Sequence, residues 1–227
     1  MRKYLSIAFV TLSCLFLQAG NQINDQKKSN HIVAEIILTN GDKFQAVIDM
    51  PKIKDKEIYY TDPVTDKRRQ MESSEIKYMI VWHNRFPDVQ YLFIYTLIKE
   101  YNYNVKKEKL AKRPIWLLLD DQREHIRMFR SGDEYKFSKK DGTLRVIAKG
   151  YHGQPSAPLY YLQQSHEEIP TEVGTFDYAE NFMKLYGKMY FKDNPEMLKT
   201  IDTRVLRNKK MSDVLDYYEM TITSSDN

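Results

Sequence analysis

Histidine and cysteine, the side chains that most often bind metals or act as nucleophiles, are few in this sequence of 227 residues. The five histidines are His31, His83, His125, His152 and His166. No two of them have the three- or four-residue spacing that places two metal ligands on one helix face. The only cysteine, Cys14, lies in an apolar stretch near the start. We therefore expect no metal site, no cofactor and no catalytic thiolate.

Two pairs of adjacent carboxylates are the nearest approach to a general acid and base. Neighbours on a strand point to opposite faces, whereas an acid and a base must converge on one substrate. The composition of Asp120-Asp121 is typical of a hairpin turn. Glu167-Glu168 follows Ser165 and His166, but adjacency in sequence is not the geometry of a catalytic triad. The sequence favours a non-catalytic protein. The alternative is an exported hydrolase whose active site is assembled only in three dimensions.

Glycine-containing loops and one basic run are the remaining candidates for binding phosphate or other anions. None of the loops has the glycine spacing of a P-loop or of a dinucleotide-binding fold, so Gly41 and Gly142 are interpreted as turn residues. The basic run from Lys106 to Arg113 could contact an anionic lipid or polymer. We favour a solvated loop, because runs of charge usually face water.

Tyrosine is frequent, with seventeen in the chain. Adjacent tyrosines on a strand point to opposite faces, so some are exposed, and exposed tyrosine is a good contact residue. The loop at residues 151–158 contains two prolines, and a stiff loop loses little entropy on docking. We expect this region to contact an envelope or extracellular protein or a glycan, although tyrosine also suits ordinary strands. The predicted contact residues are Tyr151, His152, Tyr160 and Tyr161.

The first twenty residues have the three parts of a secretory signal. A basic start precedes an apolar run that extends to about Phe16, and a small residue follows at Ala19. We predict a signal peptide at residues 1–19 and a polar linker at residues 20–31. The predicted location is the periplasm, the medium or the cell surface. As an alternative, Cys14 carries a lipid that anchors the protein to a membrane.

Charge and hydropathy narrow the class of partner. The formal net charge is +4, and removal of the two basic residues in the signal peptide leaves about +2. Acids and bases are interspersed, so we expect no nucleic-acid partner. No second apolar run is long enough to cross a bilayer, so we predict no transmembrane span after processing. Peripheral association with a membrane is compatible with this composition.

Short strands are predicted between residues 32 and 87. From Phe44 to Ile48 the side chains alternate with a period of two, which places one face on a core. Asn40-Gly41 is typical of a hairpin with a primed turn. Strands this short, joined by polar turns, favour a small antiparallel barrel or a bent sheet. The next strand places on one face Ile76, Tyr78, Ile80 and Trp82.

Residues 88–173 are predicted to form a second β segment. The stretch at residues 91–101 fits both a strand and a helix, and its aromatic and β-branched content favours a strand. Hairpins are predicted about residues 120–124 and about residues 140–142.

The C-terminal third changes to a helical period. Short helices are predicted within residues 174–222, and residues 223–227 are expected to fray. Asn194 is the predicted N-cap of a helix that begins at Pro195, and Ser212 is the predicted cap of the last helix. The fold class is therefore predicted as α+β, mainly antiparallel β with a C-terminal cluster of short helices.

Several segments together resemble a known group of proteins. They are the opening "LTNGDKFQAVI", the later strand "LYYLQQ", and the closing "FKDNPEML" with "VLDYY". The chain resembles uncharacterised exported proteins of Bacteroidota-type bacteria. The resemblance implies export, a small barrel-like N-terminal module, β hairpins and a helical C-terminal cap. It implies no catalytic residues.

Overall fold

The computed structural model describes residues 31–102, 107–149, 157–175, 179–182, 186–203, 205–206 and 208–225. Within these residues fourteen strands, with a short 3-10 helix at Ser73–Glu75 between the fourth and the fifth, are followed by four α-helices. The predicted α+β class, mainly antiparallel β with short helices at the C-terminal end, is confirmed. In the described part of the chain, no helix is both long enough and apolar enough to cross a membrane.

Strands account for most of the regular structure. The first seven are β1 Ile32–Leu38, β2 Lys43–Ile48, β3 Glu57–Thr61, β4 Arg68–Glu72, β5 Ile76–His83, β6 Gln90–Thr96 and β7 Lys99–Asn102. The next seven are β8 Lys107–Leu110, β9 Ile115–Gln122, β10 Ile126–Ser131, β11 Glu134–Phe137, β12 Leu144–Ile147, β13 Leu159–Gln164 and β14 Thr171–Gly174. Twelve of them form one sheet in the order β4-β3-β2-β1-β5-β6-β9-β10-β13-β14-β7-β8, and β11 pairs with β12 separately.

The large sheet does not close into a barrel. In the described residues its outermost strands, β4 and β8, each pair with a single neighbour. Strand β3 pairs with β2 at two positions, Val47 with Thr61 and Ile48 with Tyr60. The β3–β4 hairpin is attached to the rest of the sheet by this short ladder. It forms an edge of the sheet, because in the described residues β4 pairs only with β3. Of the two architectures predicted for the N-terminal segment, the bent sheet is therefore observed.

The sheet curls where β6 passes into β7. Only Leu97 and Ile98 separate these two strands, yet β9, β10, β13 and β14 lie between them in the sheet. Strand β7 pairs in parallel with β14 at Lys99 and Thr171. The predicted strand at residues 91–101 is confirmed, with a bend between its halves. The curl encloses a core formed by Ile98, Ala111, Ile115, Leu117, Phe129 and Tyr161.

A second core joins the N-terminal strands to the β11–β12 hairpin. Ile36, Met79 and Trp116 are fully buried in it. Tyr135 of the hairpin meets Phe93 of β6 edge to face, with ring centroids 5.0 Å apart. Aromatic pairs at this spacing add to the free energy gained from burial. The hairpin therefore covers one face of the sheet.

The C-terminal helices pack on β10, β13 and β14. They are α1 Ala179–Phe182, α2 Lys188–Tyr190, α3 Pro195–Asp202 and α4 Met211–Ser225. Val214 and Leu215 are buried against Met128 and Leu162 of the strands. These residues belong to a third core, which holds the helices to the sheet.

Two predicted helix caps have different outcomes. The Asn194 side chain accepts a hydrogen bond from the Met197 N–H over 2.9 Å, with Pro195 at the first helical position, as predicted. Ser212 is not a cap, because α4 begins one residue earlier. There the Asp213 carboxylate accepts from the backbone N–H that precedes the helix, over 2.7 Å. A carboxylate near a helix start is also favoured by the helix dipole.

The hairpin about Asn40-Gly41 is present, but its turn differs from the predicted one. A primed turn with positive φ at both central residues is excluded, because Gly41 has a φ of 94° while Asn40 is not among the residues with positive φ. The Gly41 N–H donates to the Leu38 carbonyl oxygen over 3.0 Å. The Leu38 N–H also donates to the Asp42 carbonyl oxygen over 2.8 Å. Three residues, 39–41, therefore lie between this hydrogen-bonded pair, and the last of them is the left-handed Gly41.

The hairpin of β9 and β10 turns later than predicted. Strand β9 continues through Gln122, so the connection is residues 123–125 rather than 120–124. The register shifts between Met128 and Phe129, which leaves Asp120 opposite no residue. A bulge of this kind lets both acids of Asp120-Asp121 remain in the strand.

Candidate ligand-binding cleft

A cleft of about 530 Å³ opens between two stretches that are far apart in the sequence. One wall comes from the loop at residues 53–56 and the turn at residues 72–74, and the other from residues 109–115. Tyr95 and Ile98, at the bend between β6 and β7, also line it. We call it the basic cleft.

Buried hydrogen bonds hold the loop at residues 53–56 in place. Ser73 is fully buried and donates from Oγ to the Asp55 carbonyl oxygen over 2.9 Å. The Trp116 indole N–H lies 3.2 Å from the same carbonyl oxygen and 3.2 Å from Ser73 Oγ. The Ser73 N–H also donates to the Lys56 carbonyl oxygen over 2.7 Å. Because buried polar groups are costly to leave unpaired, this network fixes the wall.

The floor of the basic cleft is apolar. Ile98, Ala111 and Ile115 belong to the core inside the curl of the sheet. The Ala111 N–H donates to the Ile98 carbonyl oxygen over 2.9 Å, which joins the two segments beneath the cleft. A ligand that rests on this floor removes apolar surface from water.

The rim of the basic cleft is strongly positive. It carries five cationic side chains, Lys54, Lys56, Lys109, Lys112 and Arg113, all of them exposed. None of the five forms an ion pair within the described residues. Two carboxylates, Glu72 and Glu100, also line the cleft. The excess of cations over acids in a concave site concentrates anions there.

Tyr95 contributes a neutral polar group to the lining. Its ring packs against that of Trp116, with centroids 5.2 Å apart. Burial, and secondarily the charge of Glu72, raises the pKa of the Tyr95 hydroxyl. The hydroxyl therefore stays protonated at neutral pH and remains a hydrogen-bond donor.

A second cleft, of about 670 Å³, lies where β2 and β3 separate. Its charges are largely neutralised locally. Arg68 lies 2.5 Å from Asp49 and stacks over the Tyr59 ring at 4.9 Å, and Asp62 lies 2.8 Å from Arg69. These contacts brace the edge of the sheet, so this cleft is a weaker candidate for an anionic ligand.

A third cleft, of about 600 Å³, contains the predicted carboxylates Glu167-Glu168. Glu167 Oε1 lies 3.2 Å from Lys99 Nζ, and its Oε2 accepts from the Tyr190 hydroxyl over 2.7 Å and from the Gln164 N–H over 2.8 Å. Burial, and next the charge of Glu167, raises the pKa of Tyr190, which stays a donor. Glu167 therefore ties the helices to the sheet, while Glu168 is exposed.

The carboxylates of Asp120-Asp121 do not converge either. Asp120 lies 2.5 Å from Arg130, whereas Asp121 lies 2.5 Å from Arg123. Burial raises the pKa of Asp120, and the charge of Arg130 opposes that effect. Each acid has its own cation partner, so the pair does not form a general acid and base.

The residues predicted to contact a partner are only partly described. Tyr161 is 1% exposed, and its hydroxyl lies 2.9 Å from Ser131 Oγ. Tyr160 is half-buried and packs against the core beneath the helices. Tyr151, His152 and Cys14, the site of the alternative lipid attachment, lie outside the described residues. Burial therefore removes Tyr161 from any external surface in this structure.

Histidines are dispersed in space as well as in sequence. Among the described residues no three histidine, cysteine, aspartate or glutamate side chains lie together as a metal site. His125 lies 2.8 Å from Glu219 of α4 through Nδ1, and His83 accepts from the Arg85 N–H over 3.2 Å. These two histidines therefore have structural partners.

The basic cleft includes residues that the sequence did not single out. Four residues of its second wall, Lys109, Ala111, Lys112 and Arg113, belong to the basic run Lys106 to Arg113, for which the sequence favours a solvated loop. The cations opposite, Lys54 and Lys56, lie about fifty residues earlier, in a stretch without a motif. Contacts between residues far apart in the sequence bring the two groups together, among them the hydrogen bonds of Ser73 and Trp116 with the loop at residues 53–56.

Fold and cleft define a β-rich α+β protein with a basic, apolar-floored site. No protein-family model, no curated protein and no solved structure matches the chain.

Proposed function

We propose that this protein is an exported, non-catalytic binding module that takes an anionic ligand in the basic cleft. The observation that carries the proposal is the set of five cations around one concavity, none of them ion-paired within the described residues. Like charges held close together repel, and an anion relieves that repulsion. Export rests on the signal-like start at residues 1–19.

The construction of the cleft favours binding over catalysis. No histidine lines it in the described residues, and its polar groups are mostly lysine and arginine. The hydrogen bonds among Ser73, Asp55 and Trp116 fix one wall in advance. A preformed site loses little conformational entropy when it is filled, which increases affinity. Of the adjacent carboxylates elsewhere, Asp120, Asp121 and Glu167 are held by arginine, lysine or tyrosine partners, and Glu168 is exposed.

A charge-neutralised variant tests the proposal. Lys54→Gln, Lys56→Gln and Lys112→Gln are combined, and calorimetry measures the binding of decyl sulfate monomers and of butyl sulfate monomers. We expect Kd for either probe to rise by at least about tenfold, because the attraction of the cleft is lost.

A control variant removes the same charge from other exposed lysines that lack ion pairs in the described residues. It combines Lys67→Gln, Lys77→Gln and Lys140→Gln. We expect this variant to bind like the unmodified protein. Equal weakening in both variants, or no binding of either probe by the unmodified protein, overturns the proposal.

A further inference from the structure

We infer that the ligand of the basic cleft is an amphiphile, a single molecule with one anionic group and an apolar body. This inference rests on the proposed function and narrows it to a class of ligand. It follows from the way that the lining separates charge from apolar surface.

The cations and the apolar residues occupy different levels of the cleft. The ammonium and guanidinium groups belong to exposed residues of the rim. Ile98, Ala111 and Ile115 are 4%, 8% and 8% exposed, so they form the floor of the same space. A fully ionic ligand would leave that floor wet, and a fully apolar one would leave the rim without a counterion. A ligand with an anionic group and an apolar body pairs with the cations of the rim and also covers the floor.

A neutral glycan fits this lining poorly. Sugar hydroxyls require several paired donors and acceptors, and the lining includes no asparagine, glutamine or histidine in the described residues. Its neutral polar side chains are Ser74 and Tyr95. The Tyr95 ring also packs against Trp116 in a tilted arrangement, so it offers a limited stacking platform.

A nucleic-acid or other polyanionic chain fits poorly as well. Polyanions are bound by cations spread along a track. Here the cations surround one concavity of about 530 Å³, a volume that suits a small molecule. The two carboxylates, Glu72 and Glu100, further limit the number of anionic groups that the cleft accommodates. One anionic head matches the site better than a chain of them.

Alkyl carboxylates, sulfates and phosphates all have this chemistry, and so do lipids with anionic headgroups. Contact with the floor requires the apolar body to enter the cleft. We therefore assign the ligand as a monomer that has left any bilayer or micelle.

A homologous series of alkyl sulfates tests the inference on the unmodified protein. Butyl, hexyl, octyl and decyl sulfate are titrated as monomers by calorimetry, with tryptophan fluorescence, to which Trp82 and Trp116 both contribute, as a second signal. We expect Kd to fall by about twofold to fourfold for each added methylene until the floor is covered. Equal affinity across the series, with binding still lost in the Lys54, Lys56 and Lys112 variant, overturns the amphiphile while the anion-binding module stands.

A variant of the floor provides an independent check. Ala111→Leu partly fills the cleft and leaves the cations unchanged. We expect it to weaken decyl sulfate binding by at least about fivefold and butyl sulfate binding by less than about twofold, provided that circular dichroism shows a native fold. Equal weakening of both probes contradicts the inference. If the variant does not fold, the alkyl series on the unmodified protein still decides.

Anionic vesicles separate the two sources of such a ligand. Phosphatidylglycerol vesicles are sedimented with the protein, alone and after addition of decyl sulfate monomers. We expect decyl sulfate to bind without vesicles and to compete with any vesicle-bound protein. Sedimentation with vesicles, without monomer binding, overturns the assignment of a monomer.

Discussion

His83 lies on the buried face of β5, close to the rings of Phe86 and Phe137. Its Nδ1 accepts a hydrogen bond from the Arg85 N–H over 3.2 Å, which requires that nitrogen to be unprotonated. Burial, and then the charges of Arg85 and Lys139, lowers its pKa below the ordinary value of 6.5. The folded protein therefore protonates His83 only at a lower pH than the unfolded chain does.

This environment predicts a loss of stability in weak acid. The unfolded chain takes up a proton near pH 6.5 and the folded chain does so only at lower pH. The contribution of His83 is therefore full above pH 6.5 and declines as the pH falls, by up to about 1.4 kcal/mol per pH unit. Urea unfolding at several pH values measures the decline. His83→Asn, which keeps an acceptor for Arg85, should show a smaller decline, and an equal one contradicts the prediction.

Single residues were predictable where their chemistry is local. Asn194 caps its helix, and Gly41 and Gly142 both have positive φ. These outcomes depend on a few neighbouring atoms, so the residue type suffices. Ser212 failed as a cap because α4 begins at Met211, which places Ser212 inside the first turn of the helix. The residue type alone did not show at which residue the helix begins.

The β11–β12 hairpin is positioned by its turn as well as by its apolar face. Gly142 has a φ of 71°, and a Cβ there would lie 2.5 Å from Phe86 Cβ. Gly41 has a φ of 94°, but a Cβ there would meet nothing within 4 Å. A comparison of substitutions at the two glycines therefore separates the cost of backbone strain from the cost of a steric clash.

Alanine at these two glycines should have unequal effects. Gly41→Ala costs about 1 kcal/mol of unfolding free energy, because only the left-handed conformation is strained. Gly142→Ala costs about 2 kcal/mol more, because the hairpin must also move away from Phe86. Urea unfolding of the two variants measures the difference. Similar losses would show that the hairpin shifts without cost.

Strands were easier to predict than the face that each strand buries. Four residues of β5 are predicted to share one face, and three of them, Tyr78, Ile80 and Trp82, are half-buried. The fourth, Ile76, is buried in the same core as Met79 and Val81. Both faces of this strand are apolar, so alternation cannot decide which one meets the core. That choice depends on the β11–β12 hairpin, which lies far away in the sequence.

The molecule as a whole is built on shared cores. Ile36 and Met79 of the N-terminal strands are buried in one cluster with Trp116 and Leu118 of β9. Strand β5 also pairs directly with β6. The N-terminal strands thus bury their apolar face with residues from the second β segment.

A fragment of residues 32–87 should therefore not fold alone. Without β9 and the β11–β12 hairpin, its apolar face lacks the residues that cover it. We expect the isolated fragment to lack a cooperative unfolding transition in circular dichroism. The full chain should unfold with the same midpoint by circular dichroism and by tryptophan fluorescence. A fragment with its own sharp transition contradicts this prediction.

The candidate site could be predicted least of all. The run Lys106 to Arg113 was visible in the sequence, but Lys54 and Lys56 were not associated with it. The proximity of Lys54 and Lys56 to Lys109, Lys112 and Arg113 depends on long-range contacts. These are the bend between β6 and β7 and the hydrogen bonds that Ser73 and Trp116 make with the loop at residues 53–56. Sequence periodicity does not report such long-range geometry.

The bonds among Ser73, Asp55 and Trp116 also bear on how quickly the cleft fills. A wall that is already in place needs no slow rearrangement, so the rate of encounter limits association. Positive potential accelerates encounter with anions, and added salt slows it while leaving dissociation nearly unchanged. Discrimination among anions then depends on residence time, which lengthens as a ligand covers more of the floor.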